Sequence, residues 1–426
     1  MLLIKNATII DSENAKYDGK KRDLLIEKGI ITDIKTRINK TKIETFDAKG
    51  ANLSIGWLDI GVQVGDPGYE HREDMDSISQ AAAAGGFTAI ACQPNTNPVV
   101  DSKAEVLYIK NNAAHQLVDL YPIGAVSKDC QGVDITEMYD MRNSGAIAFS
   151  DGQQSIQDNG LMMRALQYVK AFDGLIINHP HDKAVGGNGI IHEGKVSTSL
   201  GMQGLSNLAE EMMVQRDINL AEYTDSNLHI ANISTAGAVE MIRQAKAKGL
   251  KVTTSVAAIN LVLDDTVLED FDSNYKVLPP LREQSDIQAL KEGLKDGTID
   301  IISSNHTPLE EEAKKLEFVY ADFGIIALEI TYALCNTYLK GGMRSKKMIQ
   351  KLGVNPRQLL GLPIPKIAIG EKANFTIFDP NHTWTFSKSA IYSKSANTPF
   401  IGTPLKGKVL AVVNNDRYWE NNINNK

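Results

Sequence analysis

The chain has 426 residues, of which 42% are hydrophobic and 23% charged, and its formal net charge is −7. This composition is that of a globular protein, and the length suits a barrel of about 250 residues or more with a smaller second domain. The acidic balance and the scattered lysines exclude a typical nucleic-acid-binding protein, and the chain lacks the run of about 18 apolar residues that predicts a membrane-spanning helix.

The cysteines and the first residues indicate a cytoplasmic protein. Cys92, Cys130 and Cys335 lie far apart, with no pair at Cys-x-x-Cys spacing. We therefore expect reduced thiols, with neither a disulfide framework nor a cysteine-based zinc site. The N-terminal residues lack the long apolar segment of a signal peptide.

The start of the chain is predicted to form short β-strands. Apolar or alternating runs occur at residues 2–10, 23–27 and 30–34. Lys28 and Gly29 separate the last two runs, and a two-residue connection of this kind predicts a tight hairpin turn.

The end of the chain has the same character. Residues 373–379 and 407–413 are strand-like, so we expect a small β-sandwich domain assembled from residues 1–53 and 370–426. The asparagine-rich tail, residues 414–426, is expected to fray.

The middle of the chain alternates short apolar runs with amphipathic helical segments. The runs lie at residues 89–92, 146–149, 175–177, 228–230 and 299–302. Ala236 to Lys248 is a helical segment with apolar residues on one face and lysines on the other, and Gly249 follows it. This alternation predicts a (β/α)₈ TIM-type barrel over residues 54–369. A doubly wound open sheet is the alternative, but no Gly-x-Gly-x-x-Gly follows an early strand.

The active site of such a barrel lies at the C-terminal ends of its strands. The residues that follow the apolar runs are therefore the candidate site residues. They are Gly61, Gln63, Asn95, Asp151, His179, Asn232 and Asn305.

Several motifs carry a resemblance to a known family. They lie at residues 56–59, 66–74, 83–88, 93–98, 148–152, 229–235, 279–282, 305–308, 323–329 and 393–400. Over nearly its whole length the chain resembles dihydroorotases of the amidohydrolase superfamily, in the group that includes allantoinase and dihydropyrimidinase. The resemblance implies interconversion of carbamoyl aspartate and dihydroorotate in pyrimidine biosynthesis. It also implies two zinc ions that bridge a hydroxide, and an aspartate that moves the proton.

At most positions where the resemblance implies a metal ligand or the catalytic aspartate, this chain has a residue that cannot replace it. The first two histidines fall on Gly61 and Gln63, a later histidine on Asn232, and the catalytic aspartate on Asn305. Glycine and glutamine do not replace the imidazole nitrogen that binds zinc. Asn305 has no carboxylate to accept a proton. His306 matches a family position that supports the ligands without binding metal.

Two positions still match ligand slots. Members of the family often have two adjacent aspartates before a glycine, where this chain has one, so the slot falls on Asp151 or on Gly152. His179 is interpreted either as a surviving ligand of a single metal or as an inert, hydrogen-bonded histidine, and the second interpretation is favoured. A rebuilt metal site from Asp151, His179 and His181 is a further alternative, although Pro180 interrupts the strand.

The positions implied for substrate binding have also changed. The arginine expected to bind the substrate carboxylate is Gly65, an expected asparagine is Leu278, and an expected histidine is Leu309. Asn95 is retained as a substrate-binding residue. A neutral residue cannot reproduce the charge-assisted contact of an arginine with a carboxylate.

We therefore predict a dihydroorotase-family protein that is catalytically degenerate, binds at most one weakly held metal ion, and serves a structural or regulatory role. The resemblance implies a homodimer and, as a further partner, aspartate transcarbamoylase. One alternative is an active cyclic amide hydrolase with a rebuilt or mononuclear metal site. The other is a small-molecule binding protein that uses Asn95, Asn232 and Asn305.

Overall fold

The computed structural model describes residues 1–11, 14–339, 343 and 345–421. Its strands are β1 Leu2–Ile9, β2 Lys21–Glu27, β3 Ile30–Lys35, β4 Glu44–Asp47, β5 Asn52–Ile55, β6 Trp57–Val62, β7 Phe87–Cys92, β8 Asp119–Pro122, β9 Leu175–Asn178, β10 Ile191–His192, β11 Gly204–Leu205, β12 Asn227–Ile230, β13 Val252–Ala257, β14 Ile301–Ser303, β15 Phe375–Thr385, β16 Pro404–Asn414 and β17 Arg417–Glu420.

The helices lie mainly between the strands of the middle region. They are α1 Met75–Gly85, α2 Lys103–Ala113, α3 Met138–Ser144, α4 Asn159–Lys170, α5 Lys183–Gly186, α6 Lys195–Leu200, α7 Asn207–Thr224, α8 Ala236–Ala247, α9 Gln284–Asp296, α10 Glu311–Lys314, α11 Thr331–Tyr338, α12 Ser345–Ile349 and α13 Asn355–Leu359, with a π-helical turn at Gln350–Val354. Among the described residues, no helix combines the length and the apolarity that crossing a membrane requires.

Strands from both ends of the chain lie in one eight-stranded sheet. Its order is β17-β16-β15-β5-β1-β2-β3, and β4 pairs with β1. The predicted hairpin joins β2 to β3, where Lys28 and Gly29 have φ of 49° and 71°, as the favoured two-residue turns require. Strands from residues 2–55 and from residues 375–420 are therefore hydrogen-bonded within a single sheet.

The prediction for the C-terminal tail was wrong for the residues that the structure describes. Residues 417–420 form β17, which pairs antiparallel with β16. Asn414 is buried and its side-chain amide donates to the carbonyl oxygens of Thr88 and Leu117. These hydrogen bonds to distant residues hold a segment whose composition alone suggests fraying. Residues 422–426 lie outside the described part of the chain.

The middle of the chain builds parallel strands joined by helices, which confirms the α/β class. One parallel sheet has the order β6-β7-β8, and another has the order β14-β13-β12-β9. Phe149 links them through parallel bridges to Gly124 and Ile176. At the opposite edge, the backbone N–H of Gln63 donates to the His306 carbonyl oxygen (3.0 Å). The predicted apolar runs therefore lie in or beside strands whose C-terminal ends face the same side.

Several of the helices begin where a side chain accepts a hydrogen bond from the first turn. Such caps stabilise a helix because its first backbone N–H groups have no partner within the helix. The capping residues of α1, α2, α4, α7 and α8 are Asp74, Ser102, Asp158, Ser206 and Thr235. The caps fix where each connection from a strand turns into its helix.

An aromatic cluster joins the terminal sheet to the parallel strands. Trp57 in β6 is fully buried, and its ring centroid lies 5.3 Å from that of Phe378, 5.0 Å from that of Tyr332 and 6.2 Å from that of Phe87. Its indole N–H donates to the Ser54 hydroxyl (3.1 Å). Because β6 leads directly to the strand-end residues, this packing also sets their position.

Replacement of the central indole tests this junction. Trp57→Ala is expected to lower the free energy of unfolding by about 3–5 kcal/mol, because it opens a large cavity in a close-packed core. Equilibrium denaturation followed by circular dichroism measures the change. The control is Tyr223→Ala, since the Tyr223 side chain is 75% exposed, and equal losses in the two variants would contradict the assignment.

Candidate functional site

A small cavity lies at the C-terminal ends of the parallel strands. Its lining residues are Gly61, Gln63, Gln93, Ser150, Gly152, Gln153, Ile177, His179, Ala231, Asn232, Leu278, Asn305 and Thr307. The structure thus brings together most of the residues predicted from the strand ends. The cavity has a volume of about 20 Å³, little more than one ordered water needs.

Asn232 and Asn305 meet directly across this cavity. Both have left-handed backbone conformations, with φ of 53° and 52°, which asparagine tolerates better than most residues. The Asn232 amide nitrogen donates to the Asn305 side-chain oxygen (3.1 Å), and the Ser303 hydroxyl donates to the Asn232 side-chain oxygen (2.6 Å). The Asn305 amide in turn donates to the Leu278 carbonyl oxygen (3.0 Å). We call Asn232, Asn305 and Ser303 the amide bridge.

A buried histidine supports the amide bridge from behind. His229 contacts the Thr253 hydroxyl through Nδ1 (2.9 Å) and the Ser255 hydroxyl through Nε2 (3.1 Å). The Ser255 hydroxyl accepts from the backbone N–H of Asn232 (3.0 Å). Burial lowers the pKa of His229 to about 3, so the ring is neutral and serves to position the strand end.

Gly61 and Gln63 stand at the end of β6 and leave the space beside the amide bridge open. A Cβ atom on Gly61 would lie 3.8 Å from the Ser303 Cβ and 4.0 Å from the Asn232 amide nitrogen. These are ordinary van der Waals distances, so the backbone at residue 61 still has room for a side chain directed at the bridge. The backbone geometry at residue 61 therefore allows a side chain to reach the cavity.

Asp151 turns its carboxylate away from the cavity. Its Oδ1 accepts from the backbone N–H groups of Val126 and Ser127 (2.9 Å each), and its Oδ2 accepts from the Ser127 hydroxyl. Burial raises the pKa of this carboxyl, and the three hydrogen bonds act in the opposite direction. The carboxylate thus holds the loop after β8, and Asp151 does not line the cavity.

The alternative position, Gly152, does line the cavity. The Asn95 side chain occupies the space that a side chain at residue 152 would need. A Cβ atom on Gly152 would lie only 1.7 Å from Oδ1 of Asn95. The Asn95 amide donates to the Asp151 carbonyl oxygen (3.1 Å). Asn95 therefore bridges the strand-end loops and occupies the place beside residue 152 where a carboxylate ligand would extend.

His179 lines the cavity without the partners of a metal centre. Burial lowers its pKa from the ordinary value of 6.5 to about 4, and the neighbouring His181 acts in the same direction. Neutral imidazole can bind a metal ion, but a stable site needs several ligands. Within the described residues, no set of three or more His, Cys, Asp or Glu ligand atoms lying within 4.8 Å of one another includes His179 or Asp151.

The backbone at Gly65 no longer suits an arginine. Its φ is +77°, and a Cβ atom there would lie 2.5 Å from the Glu73 carbonyl oxygen and 2.9 Å from the Tyr69 carbonyl oxygen. A side chain at this position is therefore strained by both conformation and close contact. Leu278 is partly buried and lines the cavity, and Leu309 is 5% exposed.

His306 and Glu73 form a buried pair beneath the site. Nδ1 of His306 accepts from the backbone N–H groups of Ala327 and Leu328 (3.3 Å each), and Nε2 lies 3.4 Å from a Glu73 carboxylate oxygen. Because Nδ1 accepts, the ring proton is on Nε2 and points at Glu73. The Ser393 hydroxyl also donates to Glu73, so the pair joins the strand-end loop to the C-terminal segment.

Sequence analysis missed the glutamines that complete the lining. Gln93 follows β7 directly, and its side-chain oxygen is buried with no hydrogen-bond partner among the described residues. The Gln153 amide donates to the Thr307 hydroxyl (2.9 Å). The position of Gln93 just after a strand was a usable signal, whereas Gln153 lies within a loop whose path the sequence does not define.

The sequence comparisons with known proteins agree on one family. A family model described as "Dihydro-orotase-like" matches residues 51–238. A dihydroorotase of Pelotomaculum thermopropionicum is 41% identical over 414 residues, covering 97% of this chain and 96% of the relative. A dihydroorotase of a Thermoanaerobacter species is 41% identical over 411 residues, covering 96% of this chain and 94% of the relative.

Solved structures add a likeness of fold. The L-hydantoinase (dihydropyrimidinase) of Arthrobacter aurescens aligns with a TM-score of 0.84 and 23% identity, over 98% of this chain and 95% of that one. A D-hydantoinase from a Thermus species aligns with a TM-score of 0.82 and 22% identity, over the same shares of the two chains. At these identities the alignments establish a shared architecture and leave the chemistry open.

The position of the Asp151 carboxylate predicts a structural role. Asp151→Ala leaves three buried donors without an acceptor, so the free energy of unfolding is expected to fall by about 2–4 kcal/mol. Asp140→Ala, at an exposed helical aspartate, is the control and is expected to change stability by less than about 0.5 kcal/mol. Unchanged stability together with a lower zinc content of the Asp151 variant would instead identify a metal ligand.

The lowered pKa of His179 predicts an acid-sensitive contribution to stability. Between pH 6.5 and about 4, the unfolded chain takes up a proton that the folded chain excludes, so this contribution is present above pH 6.5 and is lost as the pH falls. As the pH falls through this range, the free energy of unfolding of the wild type is therefore expected to decrease more steeply than that of His179→Gln. The difference in slope is up to about 1.4 kcal/mol per pH unit. Urea denaturation at several pH values measures the difference, and parallel pH profiles would show that the histidine titrates normally.

Proposed function

The chain belongs to the dihydroorotase family, and from that premise we propose that it is a noncatalytic member which keeps the family's framework and lacks its binuclear zinc centre. The observation that carries the proposal is the amide bridge. Four positions that resemblance assigns to metal ligands or the proton carrier hold Gly61, Gln63, Asn232 and Asn305, and two of these side chains bond to each other where the family places metal.

The residues present do not fit two zinc ions. Carboxamide nitrogens cannot bind a cation, and the carboxamide oxygen of Asn232 already accepts from Ser303, while that of Asn305 accepts from Asn232. Insertion of metal would require these hydrogen bonds to break with little compensation, since neutral amide oxygens are weak ligands for zinc. No step of amide hydrolysis is therefore assigned to a metal at this site.

The loss extends to substrate recognition and to the room for a substrate. A dihydroorotate-sized ligand needs far more space than the free volume of about 20 Å³, and pockets for small molecules are typically of several hundred Å³. An arginine at position 65, which would bind the substrate carboxylate, would also be opposed by the short contacts that its Cβ atom would make with the Glu73 and Tyr69 carbonyl oxygens. These features support loss of catalysis over an active enzyme with a rebuilt site.

We also propose a closed (β/α)₈ barrel over residues 54–369 and a sandwich-like β-domain from residues 1–53 and 370–426. The bridges at Phe149 and the hydrogen bond between Gln63 and His306 support closure, because they connect the two parallel sheets at both edges.

A protein that retains the fold of an enzyme family but lacks the catalytic activity is expected to act through contacts with other protein chains. We propose a structural or regulatory subunit that forms a homodimer, with aspartate transcarbamoylase as the partner to test. The outer face of α7 supports such a role, since Leu208, Met212 and Tyr223 are 56%, 52% and 75% exposed. Light scattering of the protein alone and with aspartate transcarbamoylase tests both associations.

Activity assays test the central proposal. The zinc-supplemented protein is expected to interconvert carbamoyl aspartate and dihydroorotate no faster than a zinc-containing buffer, whereas the Thermoanaerobacter relative serves as the active reference. Turnover that disappears in His179→Ala would contradict the proposal and favour a rebuilt mononuclear site.

Restoration of the ligands tests whether metal alone is missing. The variant Gly61→His, Gln63→His, Asn232→His and Asn305→Asp is expected to gain zinc at the cavity, because residue 61 has room for a side chain and His179 already lines the site. It is expected to remain inactive, because Gly65 and Leu278 still lack the groups that orient a substrate. Recovery of dihydroorotase activity by these four changes would show that the substrate site is intact.

A further inference from the structure

A second group of metal-binding side chains lies away from the strand-end cavity. His192 ends β10, Asp265 begins a 3₁₀ turn, and Glu283 precedes α9. Each offers one ligand atom, and these three atoms lie within 4.8 Å of one another. We call these residues the His–Asp–Glu cluster, and none of them lines the cavity described above.

The buried carboxylate of Asp265 is left without a partner in the described part of the chain. The residue is 4% exposed, and its Oδ2 atom has no hydrogen-bond partner there. A buried, unpaired carboxylate is costly, and a bound cation would remove the cost.

Glycine at position 194 keeps the space beside the cluster open. A Cβ atom there would lie 3.0 Å from Oε1 of Glu283 and 3.2 Å from Nε2 of His192. Gly194 has an extended backbone with φ of −173°, so the conformation does not require glycine. Its lack of a side chain instead leaves these two ligand atoms facing a shared space next to a shallow surface groove, which Gly194 and Glu283 help to line.

We propose that the His–Asp–Glu cluster binds a divalent transition-metal ion, for which zinc is the appropriate probe. Imidazole nitrogen and carboxylate oxygen are both atoms that bind zinc, and three protein ligands leave a fourth position for water. Zinc bonds of about 2.0–2.2 Å would place the ligand atoms roughly 3.4 Å apart. Nε2 of His192 and Oε1 of Glu283 are now 3.9 Å apart, so this pair would have to approach by about 0.5 Å. The ligand atom of Asp265 lies within 4.8 Å of both.

A hydrogen bond between Arg282 and His192 opposes metal binding. Its Nη1 donates to Nδ1 of His192 (3.2 Å) and to the Leu205 carbonyl oxygen (2.8 Å), so the ring proton of metal-free His192 is on Nε2. Coordination through Nε2 moves that proton to Nδ1 and breaks the first contact, while the second can remain. Because a hydrogen bond is given up, we expect a Kd in the micromolar range.

Zinc titration of chelator-treated full-length protein tests the proposal. Calorimetry is expected to show one equivalent of zinc bound by wild type, with affinity reduced at least tenfold in Asp265→Asn and in Glu283→Gln. The Glu283 side chain accepts no helix-capping hydrogen bond, so its replacement should preserve the fold even if the Asp265 variant does not. Unchanged affinity in Glu283→Gln, or absence of binding by wild type, would overturn the proposal.

Two controls locate the bound ion. Glu193→Gln alters an exposed carboxylate beside the cluster, and His179→Ala removes the histidine of the strand-end cavity. Both are expected to bind zinc as wild type does. Loss of zinc in His179→Ala would place the ion in the cavity and reject the cluster as the site. The zinc titration does not depend on whether the protein is catalytically inactive. The activity assay with carbamoyl aspartate and dihydroorotate tests that separate proposal.

Discussion

The hydrogen bond between the side chains of Asn232 and Asn305 is the contact on which the interpretation of this site depends. It joins the ends of β12 and β14, and the Ser303 hydroxyl extends the link by donating to Asn232. In a binuclear metal centre, ligands from separate strands are held together by the ions that they share. Here neutral amides and a hydroxyl cross-link the ends of β12 and β14 through hydrogen bonds.

The residues around the amide bridge also bear on the proposed loss of the zinc centre. The space beside Gly152 is filled by Asn95, and the conformation of Gly65 crowds any side chain against the Glu73 backbone. The buried pair of His306 and Glu73 is kept, because it fastens the strand-end loop to the C-terminal segment. The proposed loss of the zinc centre thus leaves the groups that stabilise the fold in place, while the positions that resemblance assigns to metal and substrate hold other residues.

Sequence patterns predicted the parts of the fold that depend on local chemistry. Apolar runs located the parallel strands, and Lys28 and Gly29 located a hairpin. The pattern could not show that Asn414 reaches the backbone of Thr88 and Leu117, since that contact depends on tertiary packing. The direction of the Asp151 carboxylate and the meeting of His192 with Glu283 depend likewise on side-chain directions that spacing does not fix.

The position of zinc in crystals tests the account most directly. Anomalous diffraction at the zinc absorption edge, from crystals soaked in zinc, distinguishes the strand-end cavity from every other site. We predict no anomalous peak between Gly61, Gln63 and Asn305, and an intact hydrogen bond between Asn232 and Asn305. Two peaks in that cavity, with the two amides separated to bind them, would contradict the claim that the metal centre has been lost.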